Sequence, residues 1–398
     1  MQDKRFPLPV LISALSVILL LTFSCVKASD PGPGLVVNDV SQARSAAASS
    51  MKFHLVLSKP ATGEVSVDYT MVEGTAKTPR DFESASGTVK IAAGQSEGII
   101  EVKISGDPTD TRQSNLQFTV QLSNPKNCTL SASSAKGIII TENGTNLLTD
   151  NTGYSTPLTY PGYTLVWNDE FSGNSVDLSS WNMETGNGSN GWGNNELEYY
   201  TGSQKNVFVS NGNLIIEARK ESIGSFNYTS TRMTTQGKKE FKYGRIDLRA
   251  KLPVGKGIWP ALWMLGSNIT SVGWPACGEI DIMELIGINP STVYGTLHWS
   301  NGGTHASKGA NIKLDSGDYS DAFHVYSLIW TKDSLQILVD DKKYFELSAS
   351  EISAGNYPFD AKEFFIFNVA VGGNWPGPPD NTTPFPERMF VDYVRVFQ

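Results

Sequence analysis

The chain has 398 residues, 37 of them Gly and 20 Pro, and a formal net charge of −8 from 32 basic and 40 acidic side chains. At about 150 residues per domain the length predicts two or three domains, and 39% hydrophobic with 18% charged residues excludes an acidic disordered chain or a coiled coil. The acidic balance also excludes a nucleic-acid binder, which needs clustered cations to displace counterions from phosphates.

Residues 1–25 read as an export signal, because Lys4 and Arg5 precede an apolar run from Phe6 to Phe23 that is interrupted early by Pro7 and Pro9. Leu21-Thr22-Phe23-Ser24-Cys25 resembles a bacterial lipobox with Cys25 as the lipidated residue; cleavage after Val26-Lys27-Ala28 is the competing reading. The first predicts a lipoprotein of the outer membrane or cell surface, attached only through its lipid, and the second a periplasmic or secreted protein. No later segment has the roughly 20 apolar residues of a membrane helix. Cys128 and Cys277 fall in different predicted domains and imply no disulfide. His54, His298, His305 and His324 lack the paired spacing of a zinc site.

From residue 34 to 142 short alternating runs recur: Phe53, Leu55 and Leu57; Val65, Val67 and Tyr69; Ile100, Val102 and Ile104; Leu116, Phe118, Val120 and Leu122. Period-2 alternation between turn residues predicts an all-β, Ig-like sandwich. Val67-Asp68-Tyr69-Thr70, Glu73-Gly74-Thr75-Ala76, Asp81-Phe82 and Gly87-Thr88-Val89 make this stretch resemble a Calx-β domain. Its late loop, Asp107 to Asn115, is poor in the glutamates that bind calcium in that family, so the segment reads as a spacer. Residues 143–161, rich in Gly, Thr, Asn and Pro, read as a linker. All nine Trp lie beyond residue 160, which sets the remainder apart as a second domain over 162–398. Runs such as Asn213–Ala218, Tyr243–Arg249, Ser327–Trp330 and Phe390–Val396, with almost no helical periodicity, predict a large antiparallel jelly-roll sandwich.

The densest chemical signal is Gly278-Glu279-Ile280-Asp281-Ile282-Met283-Glu284. Glu279 and Asp281 share one face of a strand. Strict alternation would turn Glu284 to the opposite face among the isoleucines, where an unpaired carboxylate is costly to bury. A bulge near Ile282 and Met283, with Met283 as the inserted residue, restores the phase. A sandwich has no structural reason to stack three carboxylates on one face, where they repel. Paired carboxyls with opposed protonation states are what retaining glycoside hydrolysis needs: one attacks the anomeric carbon and the other protonates the departing oxygen.

The stretch Glu279 to Glu284 resembles the bulged signature of glycoside hydrolase family 16. It is accompanied by Trp167-Asn168-Asp169-Glu170-Phe171, Trp192-Gly193-Asn194-Asn195-Glu196-Leu197-Glu198-Tyr199-Tyr200, Trp259-Pro260-Ala261-Leu262-Trp263-Met264, Gly295-Thr296-Leu297-His298-Trp299 and Gly372-Gly373-Asn374-Trp375. The resemblance implies a concanavalin-like jelly roll in which Glu279 is the nucleophile, Asp281 orients it and Glu284 is the acid/base. It further implies no cofactor for catalysis and a structural calcium at Glu170, Gly212 and Asp392. It also implies sugar-binding roles for Asn187, Trp192, Arg232, Arg249, Trp259, Trp263, His298 and Trp375. The Trp motifs are similar to the laminarinase branch, which implies a monomeric endo-β-1,3-glucanase acting on β-glucan and on mixed β-1,3-1,4 linkages. A β-linked galactan such as agar, or a catalytically silent glucan-binding protein, are the alternatives. Independently of family, Trp259 and Trp263 are four apart and share one strand face, where indole rings can stack on the C–H faces of glucose.

Overall fold

The computed structural model describes residues 32–353 and 355–398; the expected export signal and Cys25 lie outside the described residues. Two β-sandwiches follow one another. In the first, a four-stranded sheet runs in the order Glu97–Ile104, Ser49–Leu57, Gly34–Val37, Thr129–Leu130. It faces a five-stranded sheet of Val40–Ala43, Ser134–Ile140, Leu116–Lys126, Val65–Glu73 and Ser86–Ile91. The alternating residues point inward as the period-2 pattern requires: Phe53, Leu55, Ile100, Val102, Phe118 and Val120 are all buried, and Phe118 stacks on Phe82 at 4.4 Å between centroids.

The second sandwich has two antiparallel sheets around one large apolar core. Its outer sheet runs Val207–Ser210, Asn213–Ala218, Glu387–Phe397, Gly244–Lys251, His324–Trp330, Ser334–Val339, Lys342–Ser348, with Leu165–Asp169 also paired to Glu387–Phe397. Its cleft sheet runs Asn182–Met183, Arg232–Thr234, Glu363–Val371, Ile258–Gly266, Glu279–Leu285, Thr292–Asn301, Thr304–Lys313. Every residue of Glu363–Val371 is buried, as befits a near-continuous apolar run in the interior of a sheet. Trp181 and Trp330 are core residues, 0% and 1% exposed.

Segment 143–161 lacks regular strands, yet it is not a free spacer. Its polar backbone is satisfied by side chains and main chain of the outer sheet and its edges, as backbone removed from water must be. Tyr154 N donates to Phe323 O at 2.8 Å and Thr156 N to the Tyr393 hydroxyl at 2.9 Å. Arg395 donates to Thr156 O at 3.0 Å, and Tyr160 OH donates to Asp247 at 2.7 Å. The first sandwich is fastened as well: the buried guanidinium of Arg112 donates to both oxygens of buried Glu217, at 2.9 and 3.2 Å, and lies 4.2 Å from the Phe208 ring centroid. Arg219 also pairs with Glu142, and Leu147 packs with Phe208 and Ile215, contacts between residues far apart in the chain that composition cannot reveal.

Candidate active site

The carboxylate strand Glu279–Leu285 lies between Ile258–Gly266 and Thr292–Asn301, and both ladders slip between Asp281 and Glu284. On the Ile258–Gly266 side Leu262 faces Met283 while Trp263 faces Asp281, so the residue without a partner there is Ile282, where the phase argument puts Met283. Both apolar residues of the bulge enter the core, fully buried, and Glu284 returns to the cleft face beside Glu279 and Asp281. The partners of Glu279 and Glu284 on the neighbouring strand are Leu265 and Ala261, four residues apart, or roughly 13 Å of strand.

These carboxyls floor a cleft of about 600 Å³. Trp259, Ala261, Trp263 and Leu265 line it from alternate positions of one strand, as their spacing predicts. Trp259 Nε1 donates to Glu284 Oε1 at 3.0 Å, Trp274 Nε1 to Glu279 Oε2 at 2.8 Å and Trp263 Nε1 to Asn368 Oδ1 at 2.8 Å. Trp375, 41% exposed at the mouth, packs edge-on against Trp259 and Tyr294. Arg232 pairs with Glu184 and lies between the Trp192 and Trp263 rings, at 4.5 and 4.8 Å from their centroids. His298 Nε2 is 3.1 Å from Asp281 Oδ2 and 3.8 Å from Glu279 Oε1.

Burial, then the charge of Asp281, pushes Glu279 up to about 8, opposed by His298, the Trp274 hydrogen bond and Arg232. Burial likewise raises Asp281 to about 8. Glu284 is raised well above the carboxylate range by burial and by both neighbouring carboxylates, against the Trp259 hydrogen bond and His298. Glu284 feels both neighbouring carboxylates, while Glu279 has Arg232 as well as His298 acting against its rise, and unlike surroundings of this kind separate a proton donor from a nucleophile.

Of the predicted sugar-binding residues, Trp192, Arg232, Trp259, Trp263, His298 and Trp375 line the cleft together with Glu279, Asp281 and Glu284. Two do not. Asn187 turns inward and donates to the carbonyls of Glu196 and Glu198 at 3.0 and 2.7 Å, shaping the loop that carries Trp192. Arg249 belongs to the outer sheet, where it donates to Asp392 and to the carbonyls of Asn151 and Tyr154. Its spacing from Asp247 could not reveal which sheet the strand joins.

The proposed calcium residues do converge, because Asn213–Ala218 and Leu165–Asp169 pair with successive parts of one edge of Glu387–Phe397 and leave Gly212, Glu170 and Asp392 near their junction. Calcium takes six to eight oxygens, and both carboxylates of this set accept from arginines in this structure. Both oxygens of Glu170 accept from Arg395, at 2.8 and 2.7 Å, and Asp392 accepts from Arg249 at 2.8 Å.

Sequence reasoning missed Trp274, His305, Thr296 and Asn368, all in the cleft wall. Asn368 had a signal, a lone polar residue in the apolar run Phe364 to Val371. Trp274 lies five residues before Glu279 in the same stretch. Glu196 and Glu198 were read only as motif letters. Both are buried, Tyr200 OH donates to Glu196 at 3.0 Å and Val371 N to Glu198 at 2.6 Å.

The Glycosyl hydrolases family 16 pattern matches residues 194–395, and the Calx-beta domain pattern matches residues 37–146. The laminarinase catalytic domain of Thermotoga maritima MSB8 is 51% identical, with a TM-score of 0.56 over 59% of this chain and 98% of that one. The beta-glucanase of Rhodothermus marinus is 41% identical over 250 residues, 60% of this chain and 86% of that protein. The clotting factor G alpha subunit of Tachypleus tridentatus is 42% identical over 239 residues, 60% of this chain but 34% of that protein, so the chain spans about a third of that relative's length. With the bulged carboxylate strand and the tryptophan cleft in place, these matches settle the kinship: the chain belongs to glycosyl hydrolases family 16.

Proposed function

We propose that the protein is a retaining endo-β-1,3-glucanase that also accepts mixed β-1,3-1,4 linkages and works as an exported monomer. The observation that carries this reading is the bulge, which puts Glu284 on the cleft face with Glu279 and Asp281 while Ile282 and Met283 stay in the core. Protonated Glu284 gives its proton to the glycosidic oxygen as Glu279 attacks the anomeric carbon. Water, deprotonated by Glu284, then releases the sugar from Glu279, and the two inversions restore the β configuration. Asp281 lies between the two glutamates in the chain, with His298 on its outer oxygen, and its charge raises both of them. Trp259, Trp263 and Trp375 offer rings for the sugar faces, and the similarity to laminarinases favours β-1,3-glucan as the polymer. Export, by lipid anchor at Cys25 or by cleavage after Ala28, rests on the leader composition alone.

Reducing-end release on laminarin, lichenan and agarose tests the reading, with laminarin the fastest substrate and lichenan second. Faster turnover of agarose would move the substrate to galactans. Binding of laminarin without release of any sugar would make the protein a glucan-binding surface.

A further inference from the structure

The hairpin beside the carboxylate strand carries a second histidine that the mechanism above does not use. Thr292–Asn301 and Thr304–Lys313 are joined by Gly302 and Gly303, at φ of 62° and 87°, the left-handed pair that a two-residue hairpin turn needs. In this register Ser300 faces His305 and Ser307 faces His298, which makes the two histidines diagonal neighbours on one face. Their rings stack at 5.1 Å with 14° between planes, and His298 Nδ1 is 2.8 Å from His305 Nε2. Trp274 covers His305 at 4.8 Å while its own Nε1 holds Glu279. The result is a chain of contacts in which Asp281 Oδ2 lies 3.1 Å from His298 Nε2 and His298 is hydrogen-bonded to His305, which is exposed on the edge strand of the cleft sheet.

We propose that His305 is a positioning residue for the reaction: it engages Nδ1 of His298 so that the His298 Nε2–H stays on Asp281 whether His298 is neutral or charged, and it connects the carboxylate cluster to solvent. The proposal rests on the hydrolase reading above. Its proton arithmetic is simple, because a nitrogen pair at hydrogen-bond distance needs one N–H and one lone pair. With both rings neutral, His305 Nε2–H donates to His298 Nδ1. A proton taken up from water at His305 Nδ1 lets the Nε2 proton pass to His298 Nδ1, after which His298 is the imidazolium and His305 the neutral acceptor. One proton has been added at the solvent end, and the Nε2–H of His298 beside Asp281 has not changed.

The charged groups around the pair lie on the His298 side. His298 faces Asp281 and, behind it, Glu279 on the carboxylate strand, and Arg232 acts on Glu279 from the cleft wall. His305 faces His298 from the edge strand, with uncharged Trp274 packed over it from the preceding loop. Burial and the positive charge of His298 hold His305 below the ordinary histidine range. A charged His298 in turn favours ionised Glu279.

His305→Phe keeps a ring under Trp274 and removes the acceptor, whereas His305→Gln keeps a polar partner for His298. Without the acceptor the imidazolium of His298 is disfavoured and Glu279 ionises at higher pH, so the acid limb of kcat/KM for laminarin should move up by about half a pH unit or more. At pH 6 kcat should fall roughly three- to tenfold with little change in KM, and His305→Gln should recover most of both. An unmoved acid limb in a folded His305→Phe protein, or a loss confined to KM, overturns the proposal. If His305→Phe does not fold, nitrogen-15 NMR of the wild-type histidines decides without turnover: at high pH the proposal needs His298 protonated on Nε2, and protonation on Nδ1 overturns it. Wild-type activity on laminarin tests the hydrolase reading separately.

Discussion

Both sheets of the second sandwich bury carboxylates, and they use them in opposite ways. On the outer sheet Glu217 is 0% exposed and serves three guanidiniums, those of Arg112, Arg219 and Arg388. Asp247 takes Arg245, and Glu170 takes Arg395 with both oxygens. Burial alone would raise Glu170, but the hydrogen bonds from Arg395 and Asn168 and the charge of Arg395 together hold the group below its ordinary range. On the cleft sheet Glu279, Asp281 and Glu284 have one arginine nearby, Arg232, which is itself engaged by Glu184. Their hydrogen-bond donors are indoles, with one imidazole close by, so burial wins and all three are raised. Carboxylates thus become anchors where arginine supplies the counter-charge and titrating groups where it is withheld.

The sharpest way to break this contrast is to remove the cleft carboxyls. Glu279→Ala and Glu284→Ala should each lower kcat on laminarin by about 10³-fold or more, the scale of losing a positioned nucleophile or acid. With an activated aryl glucoside, azide should rescue Glu279→Ala to the α-glycosyl azide and Glu284→Ala to the β-glycosyl azide. NMR of the products checks this, and the reverse assignment would exchange the two roles.

On the outer sheet the corresponding loss should appear in stability and leave the chemistry alone. Glu217→Ala strands three arginines, and breaking such a buried cluster costs about 3–5 kcal/mol. Urea melts should show that loss, with the kcat of the folded fraction unchanged. A fall in kcat would mean that the outer sheet shapes the cleft.

A pH series sharpens the comparison further. The folded values of Glu279 and Asp281, about 8, lie above their ordinary values of 4.5 and 3.8, so the folded protein binds more protons in between. The stability these groups contribute is complete below their ordinary range and is lost as pH rises through about 8. Glu284→Gln removes one such group and relieves its neighbours. Between pH 5 and pH 8.5 it should therefore lose roughly 1–2 kcal/mol less than wild type in urea melts. Equal losses would show that the cleft carboxyls are not held protonated.

The smallest effect separates the two arginines that sequence reasoning grouped together. Arg232→Ala should lower kcat/KM on laminarin about tenfold or more, whereas Arg249→Ala should leave it within about twofold and cost roughly 1–3 kcal/mol through its lost carbonyl and Asp392 contacts.

Sequence alone determined what depends on local phase. Alternation in Phe53, Leu55 and Leu57 requires a half-buried strand, because successive side chains point to opposite faces. The offset of Glu284 from Glu279 requires one absorbed residue between Asp281 and Glu284, because the side-chain period is two. The same rule put Trp259 and Trp263 on one face. Only the tertiary structure decided which sheet each strand joins: Arg232 and Arg249 sit in similar strand contexts, yet one lines the cleft and the other clamps segment 143–161 to the outer sheet. The same holds for contacts between residues far apart in the chain, such as Arg112 with Glu217 and Trp263 with Asn368, and for the side of the bulge on which Ile282 goes unpaired. Strand periodicity carries no information about the neighbour across a ladder, and it is the neighbour that turns a buried carboxylate into an anchor or an acid.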